Sequence, residues 1–338
     1  MAETICFLTK DTIIIKPPKK SPLFRRMIVL MFAMVCGVYI CSLCLKQTKN
    51  KFESIQIVES PYHDNGLKLL ENPLVHYPNP QTFNRAECVR NPVRFFAILS
   101  VQRSGSGWFE SLLNSHINVS SNGEIFSVKS RRANISSIVQ TLDRVYNLDW
   151  LSSASKNHCS AAVGFKWMLN QGVMDHHKEI VEYFNRRGVS AIFLFRRNLL
   201  RRMVSDLANS YDRYAKLLNG THKSHVHSAE EAEKLSMYKP TINSTSLIAN
   251  LEKMDSIAAT ALGYFNSTRH MVLHYEEVMT NRNKLKEVLD FLGLPHLKLT
   301  SRQVKIHKGS LADHIKNWED ISKTLKGTSY ERFLDSDY

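Results

Sequence analysis

Phe95-Phe96-Ala97-Ile98-Leu99-Ser100-Val101-Gln102-Arg103-Ser104-Gly105-Ser106-Gly107-Trp108-Phe109 runs from an unbroken apolar stretch into a small-residue loop and then into a helix start. A short apolar run without alternation reads as a strand buried on both faces, the mark of a parallel sheet. Glycines let the loop backbone approach a ligand closely, and the helix N-terminus adds a partial positive charge. Ser104 and Ser106 add hydroxyl groups and Arg103 adds a permanent cation. The stretch therefore predicts an anion site at a strand–helix junction. It is not a nucleoside triphosphatase loop, because the pattern Gly-x4-Gly-Lys-Ser/Thr is absent.

Outward from this stretch the same alternation continues. Residues 161–165 and 270–274 read as strands, and Val189-Ser190-Ala191-Ile192-Phe193-Leu194-Phe195 is the clearest of all. Residues 174–187, 199–218 and 246–265 read as helices. Leu285, Val288, Leu289 and Leu292 mark another, at i, i+3, i+4 and i+7. Strands spaced by helices predict a P-loop-like three-layer α/β fold with a central parallel sheet. No second linker interrupts residues 94–338, so they read as one domain.

The strand at residues 189–195 leads into Arg196-Arg197-Asn198-Leu199-Leu200-Arg201-Arg202-Met203-Val204-Ser205, which repeats the junction. Leu200, Met203, Val204 and Leu207 make an apolar face, and Arg197, Arg201 and Ser205 fall on a separate stripe. Arg197 and Ser205 are candidate anion ligands, since ligands of open α/β sheets bind at the carboxyl ends of strands. Arg201 and Arg202 read as a solvated basic face.

The N-terminus suggests the compartment. Residues 27–45 are 19 uncharged residues, long enough to span a bilayer. The preceding 26 residues carry six positive and two negative side chains, which predicts a cytoplasmic tail at 1–26 and an uncleaved, single-pass anchor at 27–45. Residues 46–93, with Pro61, Pro73, Pro78 and Pro80, read as a lumenal stem. Sequons at Asn118, Asn134, Asn219, Asn243 and Asn266 agree with a secretory lumen. Beyond the anchor only Cys88 and Cys159 remain, either bridged or as two separate thiols, and four-cysteine zinc sites are excluded. His222, His225 and His227 read as a solvated loop rather than a metal site, for no acid or cysteine converges on them.

Taken together, the two junctions resemble the sulfotransferase family, whose donor is 3′-phosphoadenosine 5′-phosphosulfate (PAPS). Gln102-Arg103-Ser104-Gly105-Ser106-Gly107-Trp108-Phe109 is similar to its 5′-phosphosulfate loop, Pro-Lys-Ser-Gly-Thr-Thr-Trp-Leu. Arg197-Asn198-Leu199 with Ser205 is similar to its 3′-phosphate motif. His274-Tyr275-Glu276-Glu277 and Phe291-Leu292-Gly293-Leu294-Pro295 resemble stretches of its carbohydrate-type members. Within the family the chain is most similar to plant membrane-anchored members called nodulation-protein-H-like. It departs from the pattern at Arg103 (usually Lys), Ser106-Gly107 (usually a Thr pair) and Leu199 (usually Pro).

The resemblance implies that Arg103 stabilises the leaving phosphate oxygen, and that Ser104, Gly105, Ser106, Gly107 and Trp108 cradle the phosphosulfate. It also implies that Arg197 and Ser205 hold the 3′-phosphate. Lys308 and Gly309, in Lys305-Ile306-His307-Lys308-Gly309 ahead of a helical stretch ending at Trp318, would join them. No metal is required, since Arg and backbone donors neutralise the leaving group. An acceptor hydroxyl needs a general base; Glu124 in Ser121-Asn122-Gly123-Glu124-Ile125-Phe126 is the first candidate and His116 the second, and Lys166 is a candidate cleft residue.

The expected activity is sulfuryl transfer to a carbohydrate in the Golgi lumen by a single-pass type II membrane protein. Protein tyrosine as acceptor, or a non-catalytic lumenal protein binding nucleotide or anionic glycan, are the alternatives. A homo-oligomer is left open. The lumenal address argues against nucleic acid as partner. Of the formal +14, residues 1–45 hold +4; residues 185–205 and 298–308 hold ten bases and no acid, equal to the remaining excess. Such concentration predicts a local basic lining rather than a general polyanion coat.

Overall fold

The computed structural model describes residues 27, 29–39, 42, 73–156 and 159–335. Two compact units divide the chain, Met1–His63 and Asp64–Tyr338. The second holds a parallel sheet of β1 (Arg94–Ser100), β2 (Val119–Ser121), β3 (Ala162–Gly164), β4 (Lys166–Met168), β5 (Ser190–Phe195) and β6 (His270–His274). The strand order is β2-β3-β1-β5-β6, with β4 also paired to β1, and every pairing is parallel. Around it lie α1 (Ser106–Asn114), α2 (Ile135–Tyr146), α3 (His177–Arg187), α4 (Leu199–Ala215), α5 (Ala229–Ser236), α6 (Leu247–Tyr264), α7 (Tyr275–Thr280), α8 (Asn283–Phe291) and α9 (Trp318–Leu325).

Side chains alternate across a strand, so a sheet covered on both faces must build two cores. Phe95, Ala97 and Leu99 of β1 join Ala191, Phe193 and Phe195 of β5 in one core, with Leu142 of α2, Phe184 of α3 and Ala261 of α6. Phe96 and Ile98 join Ile192 and Leu194 in the other, with Phe109 of α1 and Leu289 of α8. This is the expected three-layer α/β architecture. The sheet is tied at its carboxyl end by Ser100, whose hydroxyl donates to the Leu194 carbonyl at 2.7 Å.

Several elements differ from expectation. β2 and β4 are three-residue strands, too short for a periodic signal. α2 and α5 occupy segments not read as helical. Trp318 opens α9 instead of closing a helix. The described part of the expected stem packs on the domain. His76 and Val93 form an antiparallel bridge, Arg85 is buried, and Asp149 accepts from the amides of Gln81 and Thr82 at 2.7 and 2.9 Å. Cys88 and Cys159 are joined in a disulfide, with Cα atoms 5.3 Å apart.

In the first unit, residues 27, 29–39 and 42 are helical, and their large apolar side chains are exposed. The expected spanning helix is not found as such: among the described residues no helix is long and apolar enough to cross a membrane. The remaining positions of the 27–45 stretch, the 1–26 tail and the first part of the stem lie outside the described residues.

Candidate active site

The loop after β1 turns sharply enough to place two residues in the left-handed region, Arg103 at φ 64° and Gly105 at φ 81°. For glycine this is free; for arginine it costs strain that surrounding contacts must hold. Three contacts do so. Arg103 Nε donates to Ser205 Oγ at 2.9 Å, and Nη1 donates to the Ser224 carbonyl at 2.9 Å and to Asn209 Oδ1 at 3.4 Å. Burial lowers the guanidinium to about 10, so it remains a cation at neutral pH. Behind the loop, Arg202 Nε donates to the Gln102 carbonyl at 2.9 Å. Ser104 is fully buried and its hydroxyl has no hydrogen-bond partner among the described residues.

The loop opens on a cleft of about 250 Å³. Its charged lining is Arg103, Lys166, Arg196, Arg213 and Lys305 against the single carboxylate Glu124. Five cations to one acid, around backbone amides at a helix start, select an anion. Trp108 and Tyr275 meet edge to face, ring centroids 5.6 Å apart, and give the cleft an apolar wall. Among the described residues no group of three or more His, Cys, Asp or Glu is placed to hold a metal.

Glu124 is fixed on both carboxylate oxygens. Gln171 Nε2 donates to Oε1 at 2.5 Å, and Lys166 Nζ lies 3.4 Å from Oε2. About a third of its side chain stays exposed, enough to meet an acceptor. The sequence reading missed what holds it. Glu110, buried on α1, accepts from Ser121 Oγ at 2.6 Å and from the Gly123 amide at 2.9 Å. Its other oxygen is 3.9 Å from Lys166 Nζ. Burial pushes the Glu110 carboxyl up, while Lys166, Ser121 and Gly123 oppose that shift. A lone acid among Phe109, Leu112 and Leu113 was the available signal.

The predicted site residues are not all brought together. Arg103, Gly105, Ser106, Gly107, Trp108, Glu124 and Ser205 line the cleft, and Ser104 sits buried in the loop. Arg197 does not line it: its side chain pairs with Glu277 and faces a second cavity against Met254, Ala258 and Leu262. Arg196 lines the cleft instead. Arg196, the first residue after β5, borders both cavities. Lys308 and Gly309 are also outside it, their carbonyls accepting from His314 and Arg201; Lys305 and His307 from the same loop do line it. Arg201 and Arg202 are buried rather than solvated. His116 is structural: fully buried, its Nδ1 accepts from the Asn118 amide, and Nε2 lies 3.2 Å from the Pro295 carbonyl.

His225 was read as part of a solvated loop, yet it lines the cleft. Burial, followed by the charges of Lys166, Arg103 and His227, lowers it to about 4, although one side of the ring is open to the cleft. Of the ten bases in the two basic windows of the sequence, Arg196 and Lys305 line the cleft. Arg186 and Arg187 stack over Tyr183 and Phe95 instead.

The family model of the sulfotransferase domain matches residues 95–334. Nodulation protein H of Rhizobium meliloti is 24% identical over 253 residues, covering 72% of this chain and 96% of that protein. Among solved structures, a sulfotransferase from Alicyclobacillus acidocaldarius matches 71% of this chain and 94% of its own at 10% identity and a TM-score of 0.36. A mouse sulfotransferase complexed with PAP matches 72% and 75% at 12% identity and a TM-score of 0.30. TM-scores this low carry no weight of their own.

Proposed function

We propose, for a chain that belongs to the sulfotransferase domain family, that PAPS is the donor and a carbohydrate hydroxyl the acceptor. The observation that carries the reading is one cleft holding a phosphate-type loop, an arginine at its tip and a fixed, half-open carboxylate. Such a cleft suits the donor. Gly105 and Gly107 line it, the buried Ser104 hydroxyl lies in the loop with no partner among the described residues, and Trp108 with Tyr275 offers an aromatic wall. Arg196 and Lys305 add two cations to the same lining, which suits a second phosphate.

The chemistry follows. The acceptor oxygen attacks sulfur, and its proton passes to the Glu124 carboxylate. The bond between sulfur and the bridging phosphate oxygen breaks. That oxygen keeps the electron pair, which Arg103 is placed to stabilise. Lys166 keeps Glu124 oriented, and Glu110 holds the turn that presents it. A carbohydrate acceptor is supported by the carbohydrate-type stretch that contains Tyr275, which forms the cleft wall.

The deciding assay gives the detergent-solubilised full chain labelled PAPS and a panel of glycans and tyrosine peptides. Transfer to at least one glycan is expected, strongly reduced in Arg103→Ala and Glu124→Ala. Labelling of peptides alone would reassign the acceptor to tyrosine. Tight donor binding without transfer would leave a binding protein.

For its address we propose a Golgi membrane protein with a lumenal domain, anchored through residues 27–45. The uncharged stretch, the charge bias before it, the sequons and the disulfide support this. Protease protection of the domain in sealed vesicles, with glycosidase-sensitive mobility, is the expected result. Digestion of the domain without permeabilisation would overturn it.

A further inference from the structure

Both glycines of the phosphate-type loop are covered by rings from distant segments. A Cβ at Gly105 would overlap the Tyr275 ring, and a Cβ at Gly107 would overlap the His225 imidazole at Nε2 and Cε1. The His225 ring therefore occupies the space a side chain at position 107 would need, beside the first turn of α1.

The ring is held there by its neighbours. The 216–228 strap leaves α4 through Lys216, at φ 48°. His222 Nδ1 lies 2.6 Å from the buried Asp212 carboxylate. Ser224 accepts from Arg103, and the Val226 carbonyl accepts from the Val304 amide at 2.9 Å. Val226 is fully buried with Leu218, Ala232 and Leu235. His225 lies between these two anchored residues, one tied to the loop arginine and the other to the late basic loop.

We propose that His225 is a donor-binding group of this cleft, supplying to the donor's 5′-phosphate the hydrogen bond that a side chain at position 107 would otherwise supply. This rests on the sulfotransferase reading. A neutral imidazole carries one N–H donor and one acceptor, and burial, followed by the charges of Lys166, Arg103 and His227, keeps the ring neutral. It offers an N–H without placing another full charge beside Arg103 and Lys166. Gly107 is then a requirement of the strap: the loop gives up a side chain, and the strap returns a polar group to the same place.

The test is titration of 3′-phosphoadenosine 5′-phosphate (PAP) into the full chain by calorimetry, with melting temperature as a fold control. His225→Ala is expected to weaken PAP by about tenfold, the loss of one hydrogen bond to a charged group. His225→Gln, which keeps an N–H donor, should recover most of that loss. Gly107→Ala should weaken PAP similarly by displacing the ring, and the double variant should be no worse than either single one. Wild-type affinity in His225→Ala, with an unchanged melting temperature, would overturn the proposal and leave the sulfotransferase reading intact. Additive losses in the double variant would also overturn it. Absence of PAP binding by the wild type would sink the parent reading and this inference with it.

Discussion

Arg103 and Glu124 divide the chemistry, and their substitutions should separate binding from turnover. Glu124→Gln keeps the shape and the Gln171 contact but removes the base. A fall in kcat of about 10²–10⁴ is expected, with PAP affinity within about twofold of wild type by calorimetry. Equal losses in both would make Glu124 a structural residue. Arg103, Ser205 and Glu124 were legible as candidates because each follows from a motif and its spacing. Arg197 was expected in the cleft and stands outside it, because spacing alone does not say where either of two adjacent arginines turns. The contact does: Arg197 pairs with Glu277, while Arg196 borders both cavities. His225 and Glu110 were missed for another reason. Each acts through a contact that sequence distance conceals, His225 with Gly107 and Glu110 with the Gly123 amide.

At the scale of elements, α4 is the hinge of the arrangement. Its N-cap Asn198 accepts from the Arg201 amide, and its buried Arg202 crosses back to the Gln102 carbonyl. A helix expected to show a basic face to water instead spends two arginines on loop carbonyls. Arg202→Met retains the apolar stem and removes the donor. It should lower stability by about 1–3 kcal/mol in denaturant unfolding and also weaken PAP binding. A stability change without a binding change would detach Arg202 from the loop. The long buried strands β1 and β5 were readable because an apolar run bounded by turns has few other meanings. β2, β3 and β4 were harder, each being only three residues long. α2 carried usable signals, a cap at Asn134 and apolar positions at Ile138, Leu142 and Val145, and was overlooked among polar neighbours.

For the whole molecule, two stability predictions follow from buried chemistry. His307 lies between His314 and the cleft arginines. Burial first, then His314, Arg103, Arg196 and Arg201, lowers its imidazole from 6.5 to about 3. The unfolded chain therefore binds the proton before the folded one does. Stability from this group is full above pH 6.5 and is lost as pH falls from there toward 3. Melting temperature should drop between pH 7 and pH 5, and His307→Asn should flatten that slope. An unchanged slope would remove His307 from the cause. The disulfide closes a loop with a sequence separation of 71. Reduction should cost about 2–5 kcal/mol in denaturant unfolding, as should Cys88→Ala.

That disulfide also has a topological effect. The chain from Cys88 to Cys159 is, in covalent terms, a closed ring, and it carries Arg103, Glu110 and Glu124 together. Lys166, Ser205, His225 and Lys305 stand outside it. A single peptide cut within the ring, as by trypsin at the basic run Lys129-Ser130-Arg131-Arg132, releases no fragment. The nicked protein would migrate as one species until a reductant is added, and then as two. Arg103, Glu110 and Glu124 all precede that cut, so after it the disulfide alone joins them to the chain that carries Lys166, Ser205 and His225.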